Sequence, residues 1–320
     1  MSYLTGKRIY VAGHTGLAGR AIVSELRRRD AGLLLRTHAE LDLEDAAATQ
    51  RFLHEARPQV VVLAAAKVGG ILANNTYPAE FLFRNLAIEA NVIRASHAAG
   101  VDRLIFLGSS CIYPRDCPQP IREEYLLSGP LEPTNRPYAL AKIAGIEMCW
   151  SLNRQFGTKF LAAMPTNLYG RGDTYDAANS HVLPSLLQRM HRAKLANEPE
   201  VVVWGSGTPR RELLFSEDLG RALAFLADLE ETKYQALVTA ERCPIINIGT
   251  GVDVSIAQLA AAIAEAVGYR GQFSFDRSKP DGTPRKVLDV SLLSKLGWSA
   301  TTSLGAGLAA TYEDFQGRYG

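Results

Sequence analysis

The sequence predicts an α/β fold, a doubly wound parallel sheet with a smaller second lobe, and three observations carry that expectation. Short apolar runs alternate with helical segments from the start, the runs are continuously apolar, and a glycine-rich turn joins the first run to the first helix. Strands covered by helices on both faces lose the in-out alternation of half-exposed strands, so continuous runs belong to parallel sheets.

The predicted elements follow in order: the strand KRIYVAG and helix AIVSELRRR, then the strands LLLRT and VVVLAAA and the helix AEFLFRNLAIEANVIRASHAAG. Next come the strand RLIFLGSS, a helix around YALAKIAGIEMCWSLNRQFG and the strand KFLAAMPTN. Right-handed crossovers are expected throughout. The run CIYPRDCPQPIREEYLLSGPLEP reads as one long active-site loop.

After MPTNLYG the rhythm breaks. The stretch GRGDTYDAANSHVLP leads to a helix over residues 184–196, the strand EVVVWG and the arginine-bearing turn GTPRRELLF. The segment SEDLGRALAFLADL reads as helix, INIGTG as a strand returning to the main sheet, and VSIAQLAAAIAEAVG as an amphipathic helix. The expected division is residues 1–168 plus about 214–249 for the dinucleotide domain, with about 169–213 and 250–320 forming a discontinuous substrate lobe.

Composition narrows the function classes. The 320 residues are 47% hydrophobic and 21% charged, enough for a sizeable core. Thirty-five basic and 33 acidic residues are interspersed to a net +2, which argues against nucleic acid as a partner. The first apolar run is too short for a signal-peptide core and no 18-residue apolar stretch occurs, so a cytoplasmic protein with no membrane partner is expected. Cys111, Cys117, Cys149 and Cys243 form no CxxC pair and have no histidine at zinc spacing, so reduced thiols and no metal are expected.

GHTGLAG places Gly13, Gly16 and Gly19, with Thr15 and Leu17 between them, after a strand and before a helix. Glycines there permit a tight turn and close approach to a pyrophosphate, whose charge meets the helix N-terminus. At the end of the next strand Arg36 suits a 2′-phosphate, pointing to NADPH with NADH as the alternative, and Asp42 and Leu43 are placed near the adenine.

Tyr138 and Lys142 stand four apart on a predicted helix and so share a face, where an ammonium is expected to lower the phenol's pKa. Ser109 at a strand end faces the same crevice and suits a bond to a substrate carbonyl, with Ser110 as its competitor.

The ordered set GHTGLAG, GSS, YALAK resembles the Rossmann-type extended short-chain dehydrogenases that act on nucleotide sugars. AAAKVGGILANNTYPAEF, GSSCIYP, EPTNRPYALAKIAG, MPTNLYG, NSHVLP, VVVWGSGTPRRE and SKPDGTPRKVLDV further resemble the GDP-L-fucose synthase family over nearly the whole chain. That resemblance implies an enzyme that epimerises GDP-4-keto-6-deoxymannose at C3 and C5 and reduces C4 with a nicotinamide hydride. It implies Cys111 as base and His181 as acid, since epimerisation beside a ketone needs a proton removed from one face and returned on the other.

Implied cofactor contacts are Ala64, Ala65, Leu107, Pro165, Asn167, Leu168 and His181, with Tyr138 and Lys142. Implied contacts to the GDP-sugar are Asn167, Arg189, Trp204, Arg211, Asp281 and Lys286, and a homodimer is implied through helices near 80–99 and 137–156. The chain departs from the family at Thr15 and His38, where bacterial members carry arginine, and in ELLFSEDL and GRGDTYDAA beside the sugar pocket. A GDP-4-keto-6-deoxyheptose therefore stands as the alternative substrate and a NAD-retaining epimerase as the alternative enzyme. A non-catalytic nucleotide sensor would lack the tyrosine or the lysine, both present here.

Overall fold

The computed structural model describes residues 2–175, 181–279 and 281–319. The end of GRGDTYDAA and the first two residues of NSHVLP lie outside the described residues.

The chain begins β1 (Arg8–Ala12), α1 (Leu17–Arg27), β2 (Gly32–Leu34), α2 (Ala46–Ala56), β3 (Val60–Leu63), α3 (Ile71–Thr76) and α4 (Pro78–Ala98). It continues β4 (Arg103–Leu107), α5 (Arg136–Phe156), β5 (Lys159–Pro165), β6 (Asn167–Tyr169), α6 (Val182–Leu195), β7 (Glu200–Trp204), β8 (Arg210–Phe215) and α7 (Ser216–Ala227). The last third holds α8 (Glu231–Gln235), β9 (Ile245–Ile248), β10 (Asp253–Ser255), α9 (Ile256–Val267), β11 (Gln272–Asp276), β12 (Arg285–Lys286), α10 (Ser291–Leu296) and α11 (Leu304–Tyr319).

Six parallel strands form the main sheet in the order β2-β1-β3-β4-β5-β9. The sequence expectation of a doubly wound sheet holds, because β1, β3 and β4 are buried along nearly their whole length by helices on both faces. One face carries Val11, Ile22, Ile105, Leu161 and Leu223, the other Tyr10, Val61, Val92, Phe106 and Ile146. Each such side chain contributes about 2 kcal/mol by leaving water. Strand order reverses between β1 and β3, which opens a crevice at the C-terminal ends of those two strands.

A second sheet runs β10-β8-β12 with β6 against β8, and β7 pairs with β11. Its apolar core holds Leu187, Met190, Leu259, Ile263 and Phe315. The segment after β5 thus changes sheets at Asn167, carrying the chain from the crevice into the second lobe. INIGTG does return to the main sheet as β9, beside β5.

Local readings needed adjusting in three places. The strand of LLLRT stops at Leu34, leaving Arg36 in the loop beyond it. Helix α2, capped by the Asp45 side chain on the Ala48 amide, was not anticipated, although the cap residue and its apolar spacing are legible in the sequence. Helix α6 starts two residues before residue 184, which makes His181 its N-cap. Among the described residues no helix is long and apolar enough to cross a membrane, and no cluster of metal-ligating side chains occurs.

Candidate active site

The glycine turn is shaped partly by the protein itself. Gly13 has φ +82°, and a Cβ there would lie 2.6 Å from the Ala65 amide nitrogen, so the turn packs directly on the residues that follow β3. A Cβ on Gly19 would stand 2.0 Å from the Gly13 carbonyl oxygen. Gly16 differs, since a Cβ on it would meet nothing closer than 3.6 Å, and the space over it opens outward. It caps α1 without any side-chain hydrogen bond, and no acidic residue occupies the first turn of the helix. The buried His14 Nδ1 also lacks a partner. A helix N-terminus with no capping side chain or acidic first turn, approached through a glycine with open space beside it, fits a dinucleotide pyrophosphate.

Around this turn the C-terminal strand ends assemble the other cofactor positions. Thr15 and Leu17 flank Gly16, Ala64 and Ala65 follow β3, Leu107 ends β4, Pro165 ends β5, and Asn167 and Leu168 begin β6. Arg36 is exposed, bonded to its neighbour's carbonyl at 2.8 Å, with its guanidinium 5.1 Å from the Phe52 ring centroid. Asp42 is exposed and accepts from the Glu44 amide, and Leu43 is buried in the sheet's core.

Ser109 caps the short turn after β4 and its Oγ accepts from the Cys111 amide at 3.3 Å. Ser110 is almost fully buried whereas Ser109 stays partly open, which favours Ser109 of the two. Tyr138 and Lys142 lie one turn apart near the start of α5, and Lys142 Nζ is 5.7 Å from the tyrosine ring centroid.

The lysine's direct partners are groups other than the phenol. Its ammonium donates to the Leu107 carbonyl at 3.0 Å and pairs with the buried Glu89 of α4 at 3.1 Å. Tyr138 is pushed well above an ordinary phenol, first by burial, then by the neighbouring Cys111 and Glu89. It therefore stays protonated at neutral pH, as a proton donor must.

Cys111 and His181 share one neighbour. Burial raises the Cys111 thiol, and the Lys286 ammonium is the strongest influence pulling it back down. Crowding by protein atoms lowers His181, with Lys286 as the second cause, although the ring keeps an exposed edge. In this state the imidazole favours its neutral form, contrary to the expectation of a readily protonated acid. Lys286 thus acts on both Cys111 and His181, and it lines one cleft with Cys111, Tyr113 and Asn135.

The remaining cations sit deeper in the second lobe. Arg211 on β8 is in register with Lys286 on β12, and its guanidinium donates to the Thr283 carbonyl at 2.6 Å. Asp281 is exposed, accepting from the Ser206 amide and hydroxyl. Arg189 on α6 donates to the Val202 carbonyl, beside Trp204, which is 68% exposed and faces Lys279 at 5.6 Å. Arg211, Lys286 and Asp281 are therefore neighbours, and Asp281 links them to the segment just past Trp204 through its bonds to Ser206.

Two residues escaped the sequence reading. Glu89 lies one helical turn from Asn85 on the buried face of α4, and polar groups on such a face were the available signal. The fully buried Glu212 accepts from the amides of Thr250, Gly251 and Leu288, which fastens β12's trailing segment to β8.

Residues 9–249 match the model of the NAD dependent epimerase/dehydratase family. The chain belongs to that family. It is 52% identical to the GDP-L-fucose synthase of Escherichia coli (strain K12), over 98% of this chain and 97% of the relative. A GDP-D-glycero-L-gluco-heptose synthase from Campylobacter jejuni, solved in the presence of NADPH, is 34% identical with a TM-score of 0.90, covering 97% of this chain and 98% of its own. A GDP-L-fucose synthetase from Naegleria fowleri bound to NADP is 27% identical with a TM-score of 0.87, covering 100% and 95%. As a member of this family the chain is a nicotinamide-dependent enzyme of the epimerase/reductase type.

Proposed function

We propose that the enzyme converts GDP-4-keto-6-deoxymannose to GDP-L-fucose, with NADPH as reductant. The observation that carries this reading is that Cys111, on the turn that Ser109 caps, and Lys286 line one cleft, with His181 at the start of α6. Epimerisation requires a pair such as Cys111 and His181, and a plain reductase does not.

Cys111 removes the proton beside the C4 ketone once its thiol has ionised, which the Lys286 ammonium favours. His181 returns a proton to the opposite face from its protonated form, which burial and Lys286 disfavour until it has taken up a proton. Ser109 and Tyr138 hold the ketone oxygen while it carries the enolate charge. The bound nicotinamide supplies the hydride at C4, and Tyr138 then gives the oxygen its proton. Arg189, Arg211, Lys286 and Asp281 surround the GDP-sugar, with Trp204 as the aromatic surface for the base and Asn167 between the cofactor and the sugar. The dinucleotide half is residues 1–168 with about 214–249, and the sugar half is the remainder.

NADPH over NADH rests on Arg36, whose exposed guanidinium keeps donors beyond the one given to the Leu35 carbonyl and suits a 2′-phosphate. The hexose over the heptose rests on 52% against 34% identity to the corresponding relatives. A homodimer through α4 and α5 is supported by the exposed Phe83, Leu140 and Phe156 on those helices. Light scattering at twice 34.8 kDa is the expected result.

The decisive experiment mixes the enzyme with GDP-4-keto-6-deoxymannose and NADPH in deuterated water. Product NMR should show deuterium at C3 and C5 and a reduced C4. Reduction without deuterium uptake would overturn the roles of Cys111 and His181, and turnover of only the keto-heptose would replace the substrate.

A further inference from the structure

Helix α4 buries two polar residues one turn apart, Asn85 and Glu89, and both are 0% exposed. Asn85 has an evident task, since its amide clamps the Lys67 backbone at both N–H and carbonyl, fixing the loop that follows β3. Glu89 has no such backbone partner. Among the described residues neither of its oxygens takes another hydrogen bond, and its contact is the 3.1 Å ion pair with Lys142. A buried carboxylate without a structural hydrogen-bond network is costly, so its position calls for a reason.

The opposing helix makes room for it. A Cβ on Gly145 of α5 would fall 2.9 Å from Glu89 Oε2 and 2.6 Å from the Phe106 ring, so any larger residue there would collide with the carboxylate. The ammonium thus lies between the carboxylate, 3.1 Å away, and the Leu107 carbonyl to which it donates.

We propose that Glu89 is a positioning residue for Lys142, holding its ammonium in place so that Tyr138 can complete proton transfer to the C4 oxygen. The inference rests on the reductase reading of Tyr138 and Lys142. The titratable groups facing the ammonium are Glu89 from α4, Cys111 from the turn after β4, and Tyr138 from α5 itself. Cys149, also on α5, faces Glu89 from the other side. Glu89 is the anion among them that neither the proposed epimerisation nor the reduction consumes.

The test compares Glu89→Gln and Glu89→Asp with the parent enzyme, following NADPH oxidation with the keto-sugar from pH 6 upward, NADPH binding by fluorescence, and thermal melting. Glu89→Gln should melt cooperatively and bind NADPH within about threefold, yet lose about tenfold or more in kcat. Its alkaline limb should move to lower pH. Removing the anion favours loss of the phenol proton, and it leaves the ammonium buried without a counter-charge. Glu89→Asp should recover part of kcat and return the limb towards the parent's.

A Glu89→Gln enzyme with kcat within twofold of the parent and an unmoved limb would overturn the proposal. Should the single variant fold poorly, Glu89→Gln is added to Lys142→Met. A residue acting through the lysine then costs nothing further, whereas a further tenfold loss means that Glu89 acts independently. If the parent fails to reduce the hexose, the substrate assignment falls, and the same comparison is run on the keto-heptose.

Discussion

Gly19 stands against Gly13 so closely that a Cβ on Gly19 would lie 2.0 Å from the Gly13 carbonyl oxygen. Backbone on both sides leaves no flexible group to yield. Gly19→Ala should therefore destabilise the protein by about 3 kcal/mol, read from urea unfolding. Gly16→Ala, with open space around it and an ordinary φ of −76°, should change stability by less than about 0.5 kcal/mol but raise the Kd for NADPH about tenfold. Equal stability losses in the two variants would remove the distinction drawn between packing and ligand approach.

Lys286→Met should raise the Cys111 thiol further, because the ammonium is the main influence opposing burial there. Each unit of change slows thiolate alkylation about tenfold at a fixed pH below the thiol's pKa. Iodoacetamide labelling of Cys111 at pH 8, followed by mass spectrometry, reads this directly. The imidazole of His181 should titrate at higher pH in the same variant, since Lys286 opposes its protonation. An unchanged labelling rate would separate Lys286 from the pair.

Cys111→Ser should lower deuterium incorporation at C3 and C5 by at least about a hundredfold while leaving NADPH affinity intact. Tyr138→Phe should instead lower C4 reduction by a similar factor, also without loss of cofactor binding. If both variants lose binding together, the residues support the site's shape and not separate proton transfers.

Glu231 joins the start of two sheet strands, bonding Arg103 of β4 and Lys159 of β5 at 2.7 Å each. Lys159 first and Arg103 second hold its carboxyl down at about 2. A depressed folded value stabilises the protein fully above the carboxyl's ordinary value, and that contribution is lost as pH falls towards 2. Because the side chain is 42% exposed, screening leaves about 1 kcal/mol. Urea melts at pH 7 and pH 3 should show Glu231→Gln less stable than the parent at pH 7, with the gap narrowed by about half at pH 3. A constant gap between the two would refute the assignment.

The amino-acid sequence by itself determined the sheet, the glycine turn and the spacing of Tyr138 and Lys142. Those features are local: continuous apolar runs report burial on both faces, and residues four apart on a helix must share a side. It also placed Cys111 beside Ser109, because both lie in one turn.

What the neighbours do to those groups was decided only by the tertiary structure. Lys142 looked like the partner of Tyr138 because the two are adjacent on α5, yet its ammonium pairs with Glu89 from another helix. Lys286 acts on both Cys111 and His181 because β12 lies parallel to β8, and the segment after it is bonded to the loop following Cys111. Periodicity describes which way a side chain leaves its own element. Which charge it then meets depends on how separate elements pack, and that charge helps set whether a thiol, a phenol or an imidazole carries its proton.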